Sequence, residues 1–148
     1  MTDHALRELY QEVILDHSRH PRHYGVLEGA SHKAEGYNPL CGDKVTVYLQ
    51  LDDEDRVADI KFEGKGCAIS QASASMMVDM LMGRSRAEAE KLMTGFLHLV
   101  KGEDASDLPE DDRERLDVMG GISEFPMRVK CATLAWHTYK NAVEEGAT

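Results

Sequence analysis

The sequence predicts an α+β fold, a small antiparallel β-sheet packed against several helices. Three observations carry that prediction. Residues 44–51 alternate apolar and polar positions, the run 57–62 does the same, and the acidic stretch Asp52-Asp53-Glu54-Asp55 between them reads as a hairpin tip. On both sides of this hairpin the apolar spacing switches to the three-to-four-residue period of amphipathic helices. At 148 residues the chain is long enough for one domain, spanning 1–148, to bury a core without disulfide staples.

Taken in order, residues 3–17 read as a helix with Leu6, Leu9, Tyr10, Val13 and Ile14 on one face, stopped by Pro21. His17, His20 and His23 recur every three residues around that stop. They could ligate a metal, but Pro21 breaks the helix that would align them, so a solvated helix end is the expectation. Residues 24–40 are punctuated by Gly, Asn and Pro and read as loop with one strand at most. Val45, Val47, Leu49 and Leu51 then mark one face of a strand, and Ala58, Ile60 and Phe62 mark one face of its neighbour. The acidic tip lacks the helix–loop–helix frame and ligand spacing of a calcium loop.

From 68 to 82 the pattern is helical and rich in Ala, Ser and Met. Met76, Met77, Met80 and Met82 are expected to pack in the core rather than to form a soft-metal box. Ser85 and Glu88 form a capping box ahead of Leu92, Met93, Phe96, Leu97 and Val100, and Gly102 ends that helix. Residues 103–122 read as a polar excursion beside the candidate site. Within it a short helix starts at Pro109, includes Leu116 and Met119, and is broken by Gly120-Gly121. A last helix begins near Pro126, with Ala132, Ala135, Trp136, Tyr139, Ala142 and Val143 at helical spacing.

Composition excludes several functions. Three cysteines, an odd number spread widely, argue against a disulfide framework and for a reducing, cytoplasmic setting. A net charge of -10 argues against nonspecific binding to nucleic acid or anionic membranes and favours protein partners. The N-terminus carries no secretory pattern, and no apolar run approaches the ~18 residues of a membrane span.

The chemistry concentrates at the cysteines. Cys41 lies in a Pro/Gly-bounded turn, Cys67 follows Gly64-Lys65-Gly66, and Cys131 follows Arg128-Val129-Lys130. A free cysteine is more often core than ligand, yet a Gly-rich turn is a poor place for a core side chain. The hairpin brings Cys41, before its first strand, near Cys67, after its second. Cys67 and Cys131 both fall near helix N-termini, where backbone N–H groups favour a thiolate, and Arg128 and Lys130 add to that effect at Cys131. Asp43, two residues after Cys41, could reach the same ion, although an Asp after Gly in a turn is more often an Asx-turn or cap. Three thiols and one carboxylate suffice for a tetrahedral zinc site or for iron–sulfur chemistry.

The stretches Gly36-Tyr37-Asn38-Pro39-Leu40-Cys41-Gly42-Asp43, Phe62-Glu63-Gly64-Lys65-Gly66-Cys67-Ala68-Ile69-Ser70-Gln71-Ala72-Ser73-Ala74-Ser75 and Arg128-Val129-Lys130-Cys131 resemble the U-type iron–sulfur cluster assembly proteins, the IscU/SufU/NifU N-terminal family, over nearly the whole chain. The resemblance implies a SufE/NifU-like α+β fold. Two departures from the scaffold branch stand out. Lys130 takes the place of a histidine before the third cysteine, and Phe125-Pro126-Met127-Arg128-Val129-Lys130 replaces the chaperone-binding Leu-Pro-Pro-Val-Lys. These departures, with the excursion at 103–122, resemble the SufU branch.

That likeness implies a zinc site of Cys41, Asp43, Cys67 and Cys131. It also implies sulfurtransfer from a SufS-type cysteine desulfurase toward downstream iron–sulfur assembly proteins. Cys41 is the expected acceptor, because a ligand on a turn leaves a metal most easily; a desulfurase group would replace it, and the freed thiolate would attack the terminal sulfur of the enzyme persulfide. Arg128 is expected to orient the partner or the leaving thiol. The alternatives are a non-enzymatic scaffold that assembles and hands on a [2Fe–2S] cluster on the same residues, with iron in place of zinc, and a structural zinc domain that only binds a partner.

Overall fold

A computed structural model describes residues 3–39, 42–103 and 108–145. Helix α1 (Asp3–Arg19) leads into strands β1 (His32–Asn38), β2 (Asp43–Leu51) and β3 (Val57–Lys65). Helices α2 (Ala68–Leu81), α3 (Arg86–Val100) and α4 (Glu110–Leu116), a 3-10 segment (Asp117–Glu124) and helix α5 (Pro126–Glu145) follow. The three strands form one antiparallel sheet in the order β1-β2-β3. This is the predicted α+β class.

The hairpin between β2 and β3 forms where the alternating pattern places it. At its tip Asp52 Oδ1 accepts the backbone N–H groups of Glu54 at 2.8 Å and Arg56 at 3.0 Å, which makes the acidic run a self-capped turn. β1 is a full seven-residue strand in register with β2, from His32↔Leu49 to Asn38↔Asp43. Its Gly and polar residues hide it in the sequence, but pairing with β2 and packing by α5 override that weak local preference. Gly36 is needed there for space: a Cβ would run into Thr138 of α5. The far edge of β3 is covered by residues 23–25, since Phe62 N–H donates to His23 O at 3.2 Å and Gly25 N–H to Phe62 O at 2.8 Å.

The core lies between the sheet and the helices. Val47, Leu49, Ile60 and Phe62 share one buried core with Met77 and Met80 of α2 and Trp136 of α5, and Leu92 and Phe96 of α3 belong to it, Phe96 by stacking on Trp136. Each such fully buried side chain contributes about 1.5–3 kcal/mol. The methionines of α2 pack as expected. Among the described residues, no helix is long and apolar enough to cross a membrane.

Two local expectations change. His17 is not at a solvated helix end: it is buried, and its Nδ1 pairs with Ser75 Oγ of α2 at 2.8 Å. The helix face, rather than the proline after it, decides its surroundings. His20 and His23 are exposed, so the three rings do not converge. Gly120-Gly121 does not break its segment either; the chain continues through both glycines as a 3-10 helix that buries Met119 and Ile122. The charged stretch around it is tied down by Arg84 to Asp112 at 2.8 Å and Arg115 to Asp79 at 2.7 Å, and Leu108 packs where Gly95 of α3 leaves room.

Candidate metal centre

Three separate pieces of chain meet at one end of the sheet. Asp43 opens β2, and strand alternation turns it to the same face as Val45, Val47 and Leu49; it is 1 % exposed. Gly42, with φ of 71°, makes the turn that delivers it, and its N–H donates to Asn38 O at 2.8 Å. Cys67 is the N-cap of α2. Its extended backbone (φ -69°, ψ 168°) lets Sγ accept the Ser70 N–H at 3.5 Å, so the helix end does hold this sulfur as its position in the sequence predicts. Cys131 sits in the second turn of α5 and is buried at 4 % exposure.

One carboxylate oxygen of Asp43 and the Sγ atoms of Cys67 and Cys131 lie within 4.8 Å of one another. The Cys67 backbone N–H donates to Asp43 Oδ1 at 3.0 Å, and its thiol donates toward Oδ2 at 3.9 Å. Gly66 permits this closeness, because a Cβ there would stand 2.6 Å from Asp43 Oδ1 and 3.1 Å from Ser70 Oγ. Cys41, the fourth expected member, lies outside the described residues. A set of one hard oxygen and two soft sulfurs, gathered at this spacing, suits zinc and also iron.

What holds the two cysteine-bearing helices together was not read from the sequence. Ser73 of α2 donates through Oγ to Ala132 O at 2.5 Å, and Trp136 Nε1–H donates to the same Oγ at 3.1 Å. Trp136 also stacks on Phe96, with ring centroids 4.6 Å apart. Ser73 is six residues from Cys67, and Ala132 directly follows Cys131, so this buried link sets the distance between the sulfurs. The run of Ala and Ser in α2 was its only sequence signal, since small residues let helices approach.

Arg128 and Lys130 are both exposed. The Arg128 guanidinium lies 4.6 Å from the centre of the Phe125 ring. It borders a groove of about 700 Å³ that Tyr10, Ile14 and Leu15 of α1, Ile69 of α2 and Val118 also line.

Residues 9–132 match the NifU-like N-terminal domain family. Among similar proteins, the iron–sulfur cluster assembly scaffold protein IscU of Streptococcus pyogenes serotype M1 is 39% identical over 142 residues, covering 96% of this chain and 87% of its own. The zinc-dependent sulfurtransferase SufU of Bacillus subtilis is 41% identical over 143 residues, covering 95% of each. The crystal structure of FiSufU from Fervidobacterium islandicum AW-1 superposes with a TM-score of 0.83 at 36% identity, covering 93% of this chain and 98% of that one.

Proposed function

The chain belongs to the NifU-like N-terminal domain family, the U-type iron–sulfur cluster assembly proteins, and from that membership we propose that it is a zinc-dependent sulfur acceptor for a SufS-type cysteine desulfurase. The observation that carries this reading is the convergence of Asp43, Cys67 and Cys131 from three distant segments, with one sulfur exposed and the other two groups buried. The name of the Bacillus subtilis relative, which aligns along almost its whole length, supports the choice of zinc.

Zinc would be held by Asp43, Cys67 and Cys131 together with Cys41, and it would keep their thiols deprotonated without oxidising them. The transfer itself belongs to cysteine. The Cys41 thiolate attacks the terminal sulfur of the desulfurase persulfide; a new Cys41 Sγ–S bond forms, the enzyme's S–S bond breaks, and the desulfurase cysteine leaves as a thiolate. Sulfur changes hands with no net oxidation. The sulfur then passes to downstream iron–sulfur assembly proteins, in a reducing cytoplasm that keeps these cysteines out of disulfides. Arg128, exposed beside the groove, orients the incoming partner or the leaving thiolate, and Lys130 flanks the third cysteine.

Desulfurase turnover measured with Cys41→Ala tests the acceptor role: loss of stimulation is expected, and undiminished stimulation overturns it. The second reading, a scaffold for a [2Fe–2S] cluster, is favoured by the name of the Streptococcus pyogenes relative. Metal analysis separates the two. Zinc, with stimulation that disappears on its removal, fits sulfur transfer; iron with acid-labile sulfide, and cluster handover after anaerobic reconstitution, fits the scaffold.

A further inference from the structure

The segments that carry the candidate ligands have an unusual charge. Residues 36–44, 64–71 and 125–133 contain four of the chain's 17 basic residues, Lys44, Lys65, Arg128 and Lys130, and one of its 27 acidic residues, the buried Asp43. The chain as a whole is at -10. These segments thus form a narrow net-positive island on an acidic protein, with Glu35, Glu63 and Glu124 directly outside their bounds.

The sheet arranges part of that island. Tyr37, Lys44 and Lys65 stand side by side across β1, β2 and β3, since Tyr37 pairs with Lys44 and Lys44 with Lys65. Asp43 and Val45 turn inward, so Lys44 between them turns outward. All three residues of the row are exposed, Tyr37 at 62 %. Like charges directly opposite on neighbouring strands are destabilising. Neither lysine makes an ion pair among the described residues. The sign reverses one row away, where Glu35 and Glu63 flank Thr46, and Glu63 is already engaged by the Tyr48 hydroxyl at 2.5 Å. Beyond the glutamates a second lysine row follows, Lys33 and Lys61 on either side of Tyr48, so the Lys44–Lys65 row is the one of the two that lies next to Asp43 and Cys67.

We propose that Tyr37, Lys44 and Lys65 form a docking rim for an acidic surface of the protein that donates sulfur to this site. Resting on the function proposed above, this assigns a recognition chemistry to its partner. A protein of net charge -10 repels acidic partners at long range, and the positive row nearest the thiols favours the orientation in which an acidic patch meets the site. Docking relieves the Lys44–Lys65 repulsion, and the exposed Tyr37 ring offers a flat apolar contact with a polar tip at the β1 end of the row, beside Lys44.

The test uses the full chain, a SufS-type cysteine desulfurase with L-cysteine, and two separate readouts: binding by calorimetry and sulfur transfer at saturating chain. Lys44→Glu combined with Lys65→Glu is expected to weaken binding by about tenfold or more at low salt. It is also expected to flatten the salt dependence, while transfer at saturation and metal content stay unchanged. A charge-matched control, Lys91→Glu with Lys140→Glu, both exposed on α3 and α5, is expected to bind like the unaltered chain. Binding unchanged in the rim variant, or equally weakened in the control, overturns the docking rim, as does an unaltered chain that does not bind the desulfurase. Binding that depends on the rim without any transfer of sulfur leaves the rim standing and overturns the sulfur-acceptor reading instead.

Discussion

The backbone N–H of Cys67 donates to Asp43 Oδ1 at 3.0 Å, so one candidate ligand holds the other in place. The bond leaves Oδ2 on the side of the Cys67 thiol, which donates toward it at 3.9 Å, and couples the start of β2 to the start of α2. It exists because Gly66 has no side chain. Gly66 does not adopt the left-handed conformation that would require glycine, so space alone explains it.

Gly66→Ala isolates that space. The new methyl would stand 2.6 Å from Asp43 Oδ1 and force the carboxylate to turn. Apparent zinc affinity, measured by chelator competition, is expected to fall about 10–100-fold, as for other groups that orient metal ligands. Thermal unfolding of the metal-free chain is expected to change little. In an Asp43→Ala background the same substitution is expected to have almost no further effect on affinity, because its route runs through that carboxylate.

Ser73→Ala removes the link between α2 and α5. It leaves the Trp136 Nε1–H buried without an acceptor, at a cost of about 1–3 kcal/mol in urea unfolding. Zinc affinity is expected to drop as well, since the Cys67–Cys131 distance depends on that contact. Normal affinity in a destabilised Ser73→Ala chain would show that the helices hold the sulfurs by other means.

Cysteine labelling reads the site directly. In a Cys41→Ala, metal-free chain, exposed Cys67 is expected to react with iodoacetamide much faster than buried Cys131. Adding zinc is expected to protect Cys67 strongly. Equal rates before zinc, or no protection after it, would contradict the arrangement of the two sulfurs.

Burial, aided by the nearby Arg22, pushes the His17 imidazole below its ordinary value of 6.5, while Asp79 and Asp16 act weakly in the opposite direction and Arg115 adds slightly to the depression. A histidine depressed in the folded chain contributes stability that is full above 6.5 and is lost as pH falls through the lower folded value. Urea midpoints between about pH 7.5 and 5 are therefore expected to decline more steeply for the unaltered chain than for His17→Asn, which keeps a polar partner for Ser75 without titrating.

The sequence by itself determined the elements and the chemical inventory. The hairpin, the capped start of α3, the helix N-terminus under Cys67 and the long helix bearing Cys131 are all written in local periodicity and capping residues, which act over a few positions. Motif residues pointed to Asp43, Cys67 and Cys131 before any distance was known. Tertiary structure alone decided that Asp43 and the two sulfurs meet, because that depends on Ser73, Trp136 and Gly66 setting the approach of elements far apart in the chain. It also decided that β1 is a strand, that His17 is buried, and that two lysines share a rim. Pairing, burial and like-charge proximity are properties of neighbours in space, and no spacing along one strand or helix encodes them.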